Sequence, residues 1–309
     1  VINLSLTQLG LRPDDLEIIE TELKRPNGMI LNTGPTGSGK TTTLYAFLKA
    51  KYSQEIKIIT IEDPIEYHVQ GIEQTQVNEG AGYTFANGLR SIMRQDPDAI
   101  LVGEVRDKDT AEIAIQAALT GHLVFSTIHA NDAPGAIPRF LDLGVKPTSI
   151  GPALNLIIAQ RLVRRLCDKC KIPSELNAEA RASLKNFLGE LQARVNKEPF
   201  KEIKLFKPRG CKICGDSGYK GRIAIFELLL NDPEYEKVKS DPSHEILSSE
   251  HWLEELIKKQ AGETEIMQSA VEKGMTTMQE DGVLKVISGI TTFEEVEEVT
   301  GPIQWLKRH

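Results

Sequence analysis

Short apolar runs alternate with stretches of helical spacing through the first half of the chain. Residues 29–33, 56–61, 99–103 and 122–127 are brief and rich in β-branched residues, the pattern of strands buried on both faces. Between them, residues 41–51, 85–94 and 110–119 place apolar side chains at helical intervals. Strands alternating with helices predict an α/β fold with a mainly parallel sheet. A short helix is expected over residues 16–23, before the turn signal Arg25-Pro26-Asn27-Gly28. Beyond the sheet, helical spacing continues over 132–143 and 147–166, and a charged helix is expected over 178–195. From Glu227 onward the pattern predicts a small helical domain. Its last helix starts at a capping box, with Thr292 as N-cap and Glu295 three residues on.

The 309 residues accommodate two or three domains, and 40% apolar residues are enough for packed cores. Against 37 Lys and Arg stand 44 Asp and Glu, a net charge of -7. That balance weighs against a nucleic-acid binder, which carries a basic face. No apolar run approaches the roughly 20 residues that span a bilayer. The start, Val1-Ile2-Asn3-Leu4, has no export-signal pattern. The expected location is therefore the cytoplasm, and the absent initiating Met points to a fragment. In a reducing compartment, four cysteines suit metal ligation better than disulfides.

Gly34-Pro35-Thr36-Gly37-Ser38-Gly39-Lys40-Thr41 fits the phosphate-loop pattern G-x-x-x-x-G-K-[ST], between a strand and a helix. Backbone N–H groups of such a loop cradle phosphate oxygens, and the following helix adds its positive dipole end. Lys40 is expected on the β- and γ-phosphates of ATP and the Thr41 hydroxyl on Mg²⁺. The bland alternative is a Gly-rich turn without a ligand. Residues 99–104, Ala-Ile-Leu-Val-Gly-Glu, end an apolar strand in an acid, which places Glu104 to ligate Mg²⁺ directly or through water. Glu62, Asp63 and Glu66 follow another strand. Three carboxylates so close are costly in a dry site unless a cation or donors are near. One could orient the attacking water; a solvated acidic turn is the alternative. His122 and His129 flank the strand at 123–127, as phosphate sensors or as satisfied structural residues. Arg90 and Arg94 share a helical face at i, i+4, and with Arg106 lie near the acids in sequence. They complete a nucleotide site or form a charged surface.

Two C-x-x-C pairs, Cys167 with Cys170 and Cys211 with Cys214, make a tetrahedral Cys₄ zinc site the strongest reading of the second half. Lys169, Lys171, Lys212, Arg164 and Arg165 nearby favour thiolate. A redox pair is the weaker alternative. The 40 residues between the pairs, 171–210, exceed ordinary ribbon spacing and have to loop out.

Taken together, these motifs resemble the secretion ATPase family, the motors of type II secretion and type IV pilus assembly. Residues 34–42, including Thr42, resemble its Walker A motif, and Thr60-Ile61-Glu62-Asp63-Pro64-Ile65-Glu66 its Asp box. Residues 89–98 are similar to the stretch before Walker B, 101–107 to Walker B, and 120–129 to its His box. Residues 160–167 lead into the tetracysteine element, which marks the assembly-type branch. The resemblance covers about residues 9–301 and implies a RecA-like core in a six-membered ring that binds ATP, Mg²⁺ and Zn²⁺. It implies Glu104 in the Walker B role and Glu66 positioning water. His129 and His122 become site residues, and Arg90 and Arg94 face the nucleotide or an adjoining subunit.

The expected units are four. Residues 1–27 form a linker and the end of a preceding domain; 28–166 form the ATPase core. Residues 167–226 form the zinc element and 227–309 the helical domain. The resemblance further implies inner-membrane platform proteins as partners and peripheral attachment to the inner membrane through them, while the acidic balance gives the expectation of no nucleic acid. A nucleic-acid translocase or DNA-uptake motor with a zinc ribbon is the alternative, disfavoured by the acidic balance.

Overall fold

The computed structural model describes residues 4–231 and 252–306. Residues 1–3, 232–251 and 307–309, which belong to the expected first and last units, lie outside the described residues. Strands β1 (Gly28–Thr33), β2 (Ile58–Glu62), β3 (Glu73–Gln76), β4 (Ala99–Val102), β5 (Leu123–Ile128), β6 (Leu154–Leu166) and β9 (Tyr219–Leu230) form one sheet. Their order is β3-β2-β4-β5-β1-β6-β9. The pairings from β3 to β6 are parallel, and β9 is antiparallel to β6. The short strands β7 (Ile172–Pro173) and β8 (Phe206–Lys207) pair separately.

The sheet forms because its strands are continuous apolar runs that helices can cover on both faces. Every residue of β1, β2, β4 and β5 is buried. On one face, helices α1 (Pro13–Lys24) and α2 (Lys40–Lys51) pack Ile18, Ile19, Leu44 and Phe47 against Ile30, Leu101 and Phe125. On the other face lie α3 (Phe85–Met93), α4 (Lys108–Leu119), α5 (Ala136–Asp142) and α6 (Pro147–Ala153). They bury Leu89, Ile92, Ala114, Ile115 and Phe140 with Met29, Leu31 and Val124. Each fully buried Leu, Ile or Phe side chain contributes roughly 1.5–3 kcal/mol.

The described C-terminal helices divide between two cores. Helices α8 (Trp252–Lys258) and α9 (Glu263–Glu272) bury Leu253, Ile257 and Ile266 in the α3–α6 layer. Helices α10 (Met278–Ile287) and α11 (Phe293–Thr300) pack with α7 (Ala178–Glu190) around Leu184, Phe187, Leu284 and Val296. The inter-cysteine insert thus rests on the C-terminal helices.

Three expectations change. Residues 154–166 are strand β6, not the end of a helix that begins at Pro147. Apolar periodicity cannot separate a buried strand from a buried helix in a run such as Leu156-Ile157-Ile158-Ala159. Pairing with β1 and β9 decides it. The division expected between 226 and 227 falls inside β9, and α1, within the expected linker, buries Ile18, Ile19 and Leu23. Thr292 is the N-cap of α11 but makes no side-chain cap bond. Glu295 turns instead to the guanidinium and backbone N–H of Arg164. The capping box is one helix earlier, between Thr277 and Glu280.

Candidate nucleotide site and tetracysteine cluster

In a parallel sheet every strand delivers its following loop to the carboxyl edge, and there the predicted motifs converge. A cavity of about 470 Å³ is lined by Thr36, Gly37, Gly39, Lys40, Thr41 and Thr42 from the phosphate loop. Glu62 reaches it from the end of β2, Asp63 and Glu66 from the loop that follows, and Gly103, Glu104 and Arg106 from the loop after β4. Thr127 and His129 come from the end of β5. Gly34, Pro35 and Ser38 belong to the same loop but do not line the cavity. Lys40 Nζ donates to the carbonyls of Gly34 and Pro35 at 2.8 and 3.1 Å. Burial lowers its pKa; Glu104 opposes that shift and Arg161 adds to it. The Ser38 hydroxyl is buried without a partner, an orphaned donor inside a loop whose pattern is made to hold phosphate.

Glu104 is only 13% exposed and sits between the side chains of Arg106 and His129. Arg106 Nη2 donates to it at 2.6 Å, and His129 Nε2 lies 3.8 Å from its second oxygen. Hydroxyls hold this loop to the sheet: Thr127 Oγ1 donates to the Gly103 carbonyl at 2.8 Å, and Ser126 Oγ to the Val102 carbonyl. Thr33 fixes the segment after His129, accepting from Ala130 N–H and donating to the Ala130 carbonyl.

The three acids at and after the end of β2 are not equivalent. Glu62 is buried and accepts hydrogen bonds from the Tyr45 hydroxyl, the Thr60 hydroxyl and the Gln74 amide. It is a structural anchor whose donors compensate its burial. Asp63 and Glu66 are exposed at the cavity, where Glu66 is free to meet water.

Other expectations separate. His122 lies at the opposite, amino end of β5, where Nδ1 contacts the Ala117 carbonyl; its main chain pairs with Gly28. His122 and His129, seven positions apart, lie at opposite ends of one strand, so nearness in sequence misplaced His122. Arg90 is exposed on α3 and Arg94 at its C-cap; they bond to Asn87 and Ser91 of that helix, and neither lines the cavity. Phe85, Leu162 and Arg222 do line it without having been singled out. Leu162 and Arg222 arrive only through the β6–β9 pairing, which leaves no local signal.

The cysteines meet at the far end of that pairing. All four Sγ atoms lie within 4.8 Å of one another. Cys167 and Cys211 are 4.0 Å apart, Cys170 and Cys214 3.8 Å, and Cys211 and Cys214 3.6 Å. A tetrahedral ion with bonds of about 2.3 Å to sulfur requires edges of about 3.8 Å, so the donor set fits. Burial pushes the Cys214 thiol up, but N–H groups of Cys211 and Gly218 donate to it and bring it down to about 6. Among the described residues no helix is long and apolar enough to cross a membrane.

A phosphate loop after β1, an acid in the loop after β4 two strands away, and a mainly parallel sheet define a P-loop protein with a RecA-like core. A sequence profile of the type II/IV secretion system protein family matches residues 1–298, and the chain belongs to that family. It is 42% identical over 301 residues to the type IV pilus assembly ATPase PilB of Myxococcus xanthus, covering 97% of this chain and 49% of that protein. It is 45% identical over 297 residues to the type II secretion system ATPase E of Vibrio cholerae, covering 96% and 53%. The chain therefore spans about half the length of these curated relatives. Among solved structures, the pilus retraction motor PilT with bound ADP superposes with a TM-score of 0.65 at 27% identity, covering 99% of this chain and 69% of that one. The ATPase DotB of Legionella pneumophila, at 21% identity and a TM-score of 0.62, shares the fold.

Proposed function

We propose that this chain is the ATP-hydrolysing part of a motor that assembles a pilin or pseudopilin filament, in type II secretion or type IV pilus extension. The observation that carries the proposal is the convergence of Lys40, Thr41 and Glu104 on one cavity at the carboxyl edge of the sheet. The names of the similar ATPases support the setting.

The residues divide the work. N–H groups of the phosphate loop and the start of α2 receive the phosphates, and Lys40 exchanges its loop carbonyls for phosphate oxygens. Thr41 and Glu104 would hold Mg²⁺, which supplies positive charge to the phosphate oxygens when bound. Glu66, exposed at the cavity, orients the attacking water. Arg106 donates to Glu104 and His129 lies beside its second oxygen, and together they hold the carboxylate in place. Because positioning and charge act mainly in the transition state, loss of an acid lowers turnover more than affinity.

Arg90 and Arg94, exposed and away from the cavity, serve an adjoining subunit in a six-membered ring. Cys167, Cys170, Cys211 and Cys214 hold one structural zinc; four thiolates fill its shell and leave no position for water. The motor works on the cytoplasmic side of the inner membrane, bound to platform proteins and not to nucleic acid.

The test is ATP turnover by the purified protein. Wild type hydrolyses ATP only with Mg²⁺, and Lys40→Ala loses at least about a hundredfold in rate. Glu104→Gln also loses turnover but keeps most of its nucleotide affinity. Unchanged hydrolysis in Lys40→Ala would sink the proposal.

A further inference from the structure

Beneath the phosphate loop lies a polar side chain that the cavity does not touch. Gln160, on β6, is 2% exposed. Its Nε2 donates to the Ser38 carbonyl at 2.8 Å. Its Oε1 accepts from the Thr43 hydroxyl at 2.9 Å and from Asn32 Nδ2 at 3.2 Å. The three partners are the strand before the loop, the loop itself and the helix after it. The amide can face only one way, because a carbonyl only accepts and Ser38 therefore requires the NH₂ group.

The loop is also packed directly onto this residue. A Cβ at Gly34 would lie 2.5 Å from the main-chain carbonyl oxygen of residue 160, and one at Gly39 would lie 2.8 Å from the side-chain Nε2. Gly39 is thus the loop glycine that the Gln160 amide requires, and Gly34 is required by the β6 backbone beneath it. An amide buried in a sheet is costly unless bonded, and an apolar side chain of equal size would fill the space at less expense.

We propose that Gln160 is a positioning residue for the phosphate loop, its amide holding Asn32, Ser38 and Thr43 in the arrangement that receives phosphate. The proposal rests on the nucleotide-binding reading above. Gln160 acts through the loop and does not touch the nucleotide.

The test measures affinity for a fluorescent ATP analogue at pH 5.5 and pH 8, with thermal unfolding in parallel. Gln160→Met keeps the volume and removes all three bonds. Its dissociation constant should rise about tenfold or more, the scale of buried polar partners left unmade. Gln160→Glu keeps the acceptor for Asn32 and Thr43 but replaces the donor to Ser38. At pH 5.5 the buried carboxyl is protonated and donates to the Ser38 carbonyl, so affinity approaches wild type. At pH 8 its charge repels that carbonyl and the phosphates, so affinity falls at least about tenfold relative to wild type at the same pH. Should Gln160→Met fail to fold, the pH response of folded Gln160→Glu decides alone. Affinities within twofold of wild type at both pH values, with a lowered melting temperature, would overturn the proposal and leave Gln160 a packing residue. A wild-type protein that binds no nucleotide overturns the underlying reading, and the proposal with it.

Discussion

The two ends of the β6–β9 pair are made of the same two strands and are held by different physics. At the inner end, Leu156, Ile157 and Ile158 pair with Leu230, Leu229 and Leu228 inside the sheet, and burial does the holding. At the outer end the strands leave the core, and Arg164, Arg165, Lys220 and Arg222 are exposed. There the chain depends on discrete contacts. Arg164 binds Glu295 and stacks 4.3 Å from the centre of the Tyr219 ring. Leu166 N–H donates to the Ile290 carbonyl, and the four thiols gather just beyond. An apolar interior tolerates loss of one contact in proportion to volume, whereas a site of few contacts fails when one is removed.

Mutations can break this contrast. The largest effect belongs to the inner end. Phe226→Ala empties a side chain that is 1% exposed in the α1–α2 layer. It should cost about 3–5 kcal/mol and shift the denaturant midpoint of the whole protein. A cost below about 1 kcal/mol would mean that the inner end is not held by burial. Next comes Cys167→Ser. Bound zinc should fall from one per chain toward none, and backbone amides around the two cysteine pairs should lose hydrogen-exchange protection. Nucleotide binding should persist, because the phosphate loop belongs to the buried end. Loss of nucleotide binding on mild chelation of wild type would show that the ends are not separable. The smallest effect is that of Glu295→Ala. Glu295 is 5% exposed, but its partner Arg164 is 55% exposed, so solvent screens the pair. A cost of about 1 kcal/mol is expected, read as faster exchange at the Arg164 amide. No change there would remove the ion pair from the list of what holds the outer end.

The same contrast explains what the sequence revealed. The phosphate loop was legible because its strand, glycines, Lys40 and helix are consecutive. Glu104 was legible because a strand carries its acid to the sheet edge by geometry alone. His122 and His129 look equivalent in sequence, and only strand length and direction separate them. β6 was misread because a buried strand and a buried helix share an apolar run. With β6 misread, Gln160, Leu162 and Arg222 could not be placed, since their positions depend on β9 some sixty residues later. The cysteine pairs were readable as spacing. That the insert between them packs on α10 and α11 depended on long-range burial of Phe187 and Val296.

One consequence of the β6–β9 pair is mechanical. Its register runs from Leu156 opposite Leu230, beside the phosphate-loop strand, to Leu166 opposite Tyr219, beside the cysteines. At about 3.3 Å per residue this is a stiff arm of roughly 33 Å. The pairing with β1 ends at Ala159, so about 23 Å of the pair extends past it. A tilt of about 5° over that length would carry the cysteine end through about 2 Å. One continuous pair of strands thus joins the edge of the phosphate-loop strand to the cysteine cluster with no intervening loop.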